Sequence, residues 1–180
     1  MVLYNIVPGI DTNLSTKLNY NFASTLPTEI YVGTGFDSEA IVSAGDTSTV
    51  TEEHTFNIDS STITNATYVL LKVGFRGYAR AKDGGNRDPT AYGNLKIQVA
   101  EIGSTTFASD VNEQVAYADT KGNDDDPGDT SITVGTLEWY HELSPGEITN
   151  GLQLRIETTS YGNNGATSRV TNIQTTYFII

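Results

Sequence analysis

A chain of 180 residues, 37% of them hydrophobic, is long enough for one domain with a real core. It holds 22 acidic against 10 basic residues, a formal charge of -12, and so lacks the clustered cations that nucleic acid or an anionic membrane surface requires. It has 0 cysteines and 2 histidines, which excludes disulfides and thiol catalysis and leaves little for general-base chemistry or transition-metal sites.

No stretch approaches the roughly 18 uninterrupted apolar residues of a spanning helix. The first residues show no basic start followed by an apolar run, so no signal peptide is expected. Thr, Ser and Asn are abundant, a mixture that favours pleated strands joined by polar turns.

The first expected element is a short helix. Pro8-Gly9 is a breaker, and beyond it Leu14, Leu18 and Phe22 recur at the four-residue spacing that puts side chains on one helical face. Asp11, Thr12 and Ser15 are suitable N-caps, and Pro27 ends the segment. So short a helix is unstable alone in water, so its apolar stripe must pack on the body of the chain or on another copy. Residues 1–28 are therefore read as an N-terminal arm and residues 29–180 as the folded body.

From Glu29 onward the pattern is strand after strand. Runs are expected at Glu29 to Phe36, Thr47 to Ile58 and Thr67 to Ala81. In the last of these Val69, Leu71, Val73, Phe75 and Ala79 alternate with Lys72, Arg76 and Arg80. Further runs lie around Leu95, Ile97 and Val99, at Val115 to Ala118, and at Ser131 to Leu143. The last two are around Leu152, Leu154 and Ile156, and at Ser168 to Ile180. Turn-rich segments at Lys82 to Pro89, Lys121 to Asp129, Ser144 to Gly146 and Tyr161 to Gly165 separate them. The expectation is an all-β protein, an antiparallel β-sandwich of jelly-roll type, with an immunoglobulin-like sandwich as the alternative.

Few residues suggest chemistry. Asp124, Asp126 and Asp129 in the most acidic loop offer hard oxygen ligands of the kind Ca²⁺ takes, although the spacing is not that of an EF-hand. The plainer reading, a solvated acidic turn, is preferred. Glu138 and Glu142 flank Trp139, Tyr140 and His141, a composition reminiscent of sugar-cleaving clefts. Four residues along one strand separate side chains by about 13–14 Å, too far for a glycosidase pair, and Trp139 belongs on the opposite face, toward the core. His54 and His141 fit no triad or zinc motif. No enzyme activity is expected.

The chain closes on Tyr177-Phe178-Ile179-Ile180. Such an apolar end must either complete a central strand or be covered by another subunit, which makes Phe178 and Ile180 interface candidates.

The segment Ile6 to Phe22 resembles the N-terminal segment of many tailed-phage appendage proteins, in which a Pro-Gly turn precedes a polar cap, a Leu-Asn pair and Asn-x-Phe. The matching positions are Pro8, Gly9, Leu18, Asn19, Asn21 and Phe22. The small, acidic, cysteine-free, Thr/Asn/Gly-rich body is similar to phage capsid decoration (cement) proteins and head fibres. The resemblance implies a virion location and a homotrimer attached through its arm to the major capsid protein or another virion protein. Val2, Leu3, Tyr4, Leu14, Leu18 and Phe22 would then be docking or oligomer contacts, with Val2 to Tyr4 available to extend a neighbouring sheet. The alternative is a tail-fibre or carbohydrate-binding module that reads a host surface glycan through exposed aromatics such as Tyr78, Tyr92 or Tyr161.

Overall fold

The computed structural model describes residues 30–34, 37–82, 88–120 and 128–180. Among these, nine strands and two short helices follow one another: β1 (Ile30–Thr34), β2 (Ser38–Ile41), β3 (Thr47–Ile58), α1 (Ser60–Ile63), β4 (Tyr68–Ala81), β5 (Thr90–Glu101), β6 (Ala108–Asp119), β7 (Asp129–Glu142), α2 (Pro145–Asn150), β8 (Leu152–Asn163) and β9 (Thr167–Ile179).

The strands form two antiparallel sheets. One runs β1-β9-β4-β7, with β2 also on β9, and the other runs β3-β8-β5-β6. If β1 and β2 count as one interrupted strand, the pairs are first with last, second with seventh, third with sixth and fourth with fifth. A long hairpin rolled over on itself pairs this way, so the sandwich has jelly-roll connectivity. The immunoglobulin-like alternative requires a different order and is set aside.

Alternation drives the burial. In β4, Val69, Leu71 and Val73 are buried, and Ala79 and Ala81 continue the same face. In β8, Leu152, Leu154 and Ile156 do the same. The inward side chains divide into two zones. At one end Ile58, Ile63, Leu71, Leu95, Ile97, Leu154, Ile156 and Ile173 fill the space between the sheets. At the other end the core is Ala79, Ala81, Ala91, Ala116, Ala118 and Ala166. Small side chains let the sheets approach. Ser160 on β8 reaches across to Ser38 on β2, with hydroxyl oxygens 2.9 Å apart, and Ser168 on β9 donates to the Tyr161 carbonyl at 2.7 Å. A Cβ on Gly77 would overlap the carbonyl oxygen of Val115.

Two local departures from alternation matter. Opposite Phe75, β9 carries an extra residue, and Asn172 there is left-handed at φ 56. This is a β-bulge, and the inserted residue changes the phase. Before it Ser168 and Val170 point inward, and after it Ile173, Thr175 and Tyr177 do. In β6 a register shift opposite Gly93 and Asn94 likewise leaves Val115 and Ala116 both buried.

Some sequence expectations are corrected. Ser38–Ile41 is a strand outside the expected runs, β5 and β8 run well beyond the apolar triplets that mark them, and β6 extends well before Val115 to Ala118. Ser144 to Gly146, expected as a turn, opens helix α2. Its N-cap Ser144 accepts the Glu147 N–H at 3.2 Å, Pro145 occupies the first turn, and Glu147 returns to the Ser144 N–H at 2.7 Å. This capping box satisfies backbone donors that would otherwise be orphaned. The expected N-terminal helix lies outside the described residues.

Candidate functional site

The interface candidates divide between described and undescribed residues. Val2, Leu3, Tyr4, Leu14, Leu18 and Phe22 lie outside the described residues, as do Asp124 and Asp126. Asp129 is the first residue of β7, exposed and paired in register with Ala81. Among the described residues no group of three or more His, Cys, Asp or Glu is placed to hold a metal ion.

The apolar C-terminus completes a central strand. β9 sits between β1 and β4, and the Ile180 amide and carbonyl bond to Tyr68 and to the Thr67 amide. Phe178 stands on the outer face beside Leu70, with the Lys72 ammonium 5.7 Å from its ring centre. Both Phe178 and Ile180 remain half-buried within one chain.

The carboxylate-aromatic run of β7 sorts by face. Glu138 lies outward and pairs with Lys72 at 2.6 Å. Trp139 and His141 turn inward, and their rings stack with centroids 5.0 Å apart. His141 Nε2 meets the Glu147 carboxylate at 2.9 Å and 3.0 Å. The buried carboxylate thus ties β7 to the first turn of α2. Its contacts with His141 and with the Ser144 amide describe a helix cap.

On the outer face of the other sheet the register assembles a row of tyrosines. Tyr92 on β5 lies opposite Tyr161 on β8 and opposite Tyr117 on β6. Tyr92 and Tyr161 stack with centroids 4.6 Å apart and planes 14° apart. Tyr117 donates its hydroxyl to Asp119 at 3.0 Å. That bond, with partial burial and the carboxylate's charge behind it, pushes the phenol pKa up. The next row is Gln114, Asn94 and Thr159, neutral hydrogen-bonding side chains. Of the three tyrosines anticipated from sequence, Tyr92 and Tyr161 come together. Tyr78 lies on the opposite sheet, its ring 5.9 Å from the Arg169 guanidinium. Tyr117 was missed because it joins the row through pairing register alone.

The third surface is an edge. Among the described residues β7 pairs with β4 alone, in fourteen consecutive register pairs without a shift. The other edges are shorter: β1 is five residues long with a register shift, β2 is four residues long with Glu39 ion-paired to Arg169, β6 is broken by two register shifts, and β3 carries the adjacent Glu52 and Glu53. β7 carries no Lys, Arg or Pro, and it holds three of the five exposed large hydrophobics: Ile132, Val134 and Tyr140. A long, regular edge that exposes several apolar side chains invites another strand.

No protein-family model matches the chain, and no curated protein does. Among solved structures it is similar to that of the infectious bursal disease virus Gx strain, at 14% identity and TM-score 0.29, over 99% of this chain and 45% of that one. The Gt strain structure gives 15% identity and TM-score 0.27, over 85% and 36%. T=1 particles derived from the same virus give 14% and 0.26, over 86% and 40%. The chain spans less than half the length of these neighbours. TM-scores of this size do not equate two folds, and the jelly-roll assignment rests on the strand pairing alone.

Proposed function

We propose that this chain is a structural protein of a virus particle, of the capsid-decoration or head-fibre type. In this reading it works by binding: the N-terminal arm docks on the particle and the sandwich associates with further copies. The observation that carries the proposal is the β7 edge, a long, regular strand that exposes Ile132, Val134 and Tyr140 on its outward face. Soluble single domains blunt such edges, whereas assembling subunits use them. The resemblance of Ile6 to Phe22 to phage appendage segments supports the virion setting, and jelly rolls recur among capsid domains.

The test uses particles made from the genome that encodes the chain, with the wild-type gene or one lacking residues 1–24. A constant copy number on purified wild-type particles, lost on truncation, supports the reading. Absence from wild-type particles, or retention of the truncated chain, overturns it.

The tyrosine row favours a second reading, recognition of a host surface glycan. Sugars are held by aromatic rings together with neutral amides and hydroxyls, and Tyr117, Tyr92 and Tyr161 stand beside Gln114, Asn94 and Thr159. A glycan array read with the wild-type chain and with Tyr117→Ala tests it. A hit that the substitution abolishes supports this reading, and no hit removes it.

A further inference from the structure

The β7 edge has a symmetry that names its partner. Ile132 and Tyr140 both lie on the outer face, each four residues from Thr136. Ile132 is 58% exposed, Val134 76% and Tyr140 62%. We infer that β7 pairs antiparallel with β7 of a second copy across a two-fold axis at Thr136, joining the two β1-β9-β4-β7 sheets into one continuous sheet.

The register follows from the side chains. Antiparallel pairing centred on Thr136 sets Ile132 opposite Tyr140 of the partner subunit, and Tyr140 opposite Ile132 of the partner subunit. The same contact therefore forms twice, once on each side of the axis, as an isologous interface requires. Val134 then faces Glu138 of the partner subunit, whose carboxylate already has Lys72 within its own chain. Thr130 faces Glu142 of the partner subunit. No carboxylate lies opposite another in this register, whereas centring on Glu138 would set that carboxylate against itself, an arrangement that destabilises strand pairs. On the inner face Gly135 stands opposite Leu137 and Thr133 opposite Trp139, large against small in each case. The unbroken β4–β7 register keeps the edge regular along its length, so the pairing can run from Thr130 to Glu142.

A two-fold contact closes at two copies, so the inference replaces the expected trimer with a dimer. It deepens the self-association in the reading above and depends on that part alone. Its test reads mass and cross-linking in solution, and so it can fail while particle attachment holds, or hold while attachment fails.

The chain has 0 cysteines, so a single introduced one reports contact between copies. Directly opposed residues of an antiparallel pair have Cα atoms about 4.5–5.5 Å apart, within the span of a disulfide. The full-length Thr136→Cys variant is expected to form a covalent dimer under mild oxidation, and Thr130→Cys to remain uncrosslinked. By light scattering the unmodified chain is expected at twice the monomer mass, and Ile132→Lys with Tyr140→Lys at the monomer mass with the fold retained by circular dichroism. Both substituted side chains are mostly exposed in the single chain, so the double variant has no packing reason to unfold. A wild-type monomer or trimer overturns the inference, as does a dimer that Thr136→Cys fails to lock. A monomer that dimerises only after removal of residues 1–24 assigns the edge to the chain's own arm and equally overturns it.

Discussion

His141 and Glu147 join the end of β7 to the first turn of α2, with the imidazole Nε2 3.0 Å from the carboxylate oxygen, Oε2, that also accepts the Ser144 amide. One buried carboxylate therefore serves a strand side chain and a helix N-terminus together. Removing it orphans both donors at once, and a buried donor without a partner costs about 1–3 kcal/mol. Glu147→Ala is expected to lower stability by about that amount in urea denaturation, and Glu147→Gln by less, because its amide oxygen still accepts from Ser144. Equal losses for the two variants would show that the cap does not depend on that oxygen.

Asn172 sets the phase of β9. Its left-handed backbone suits Asn or Gly and strains a β-branched residue by about 1–2 kcal/mol. Asn172→Gly is expected to stay within a few tenths of wild-type stability. Asn172→Val is expected to lose the strain energy, or more if the bulge shifts and turns Ile173 out of the core. Thermal unfolding of the two variants side by side decides the point.

Gly77 on β4 lies against the Val115 backbone of the facing sheet. A methyl group here meets main chain, which has no rotamer to yield. Gly77→Ala is expected to destabilise by about 1–3 kcal/mol, the ordinary range for overpacking. The same change at Gly103, where a Cβ would find open space, reports on the backbone conformation alone and makes the control.

Tyr92 and Tyr161 form the closest ring pair among the aromatic contacts described. A double-mutant cycle with Tyr92→Ala and Tyr161→Ala is expected to return a coupling of about 0.5–1.5 kcal/mol. A coupling near zero would mean that the two rings pack independently.

Alkaline stability tracks Tyr177. Burial, and then the charge of Asp59, holds its phenol above the ordinary value. The folded chain therefore favours the neutral form. The stability that results is complete below the ordinary phenol value of about 10 and is lost as pH rises through the raised one. Tyr177→Phe is expected to flatten this alkaline fall in melting temperature, at the cost of whatever contact the hydroxyl makes. An unchanged pH profile would place the alkaline sensitivity elsewhere.

What the sequence alone determined is what short-range periodicity encodes. Alternation in Val69 to Val73 and Leu152 to Ile156 marks strands and their buried faces, because one sheet face is wet and the other dry. Trp139 turning inward and Glu138 outward follows from the same rule. The Ser144-Pro145-Gly146-Glu147 string also carried a capping-box signature, masked by its resemblance to a turn. Only the tertiary structure decided the rest, because it depends on which distant strands pair. Asn172 changes the phase of β9 only relative to Phe75 on β4. Tyr92, Tyr117 and Tyr161 become neighbours through two registers joining three strands. β7 becomes an edge only because the roll-up places β4 on one side of it and no described strand on the other. Pairing between residues far apart in the chain is set by the collective fit of both sheets, and no window of local sequence contains it.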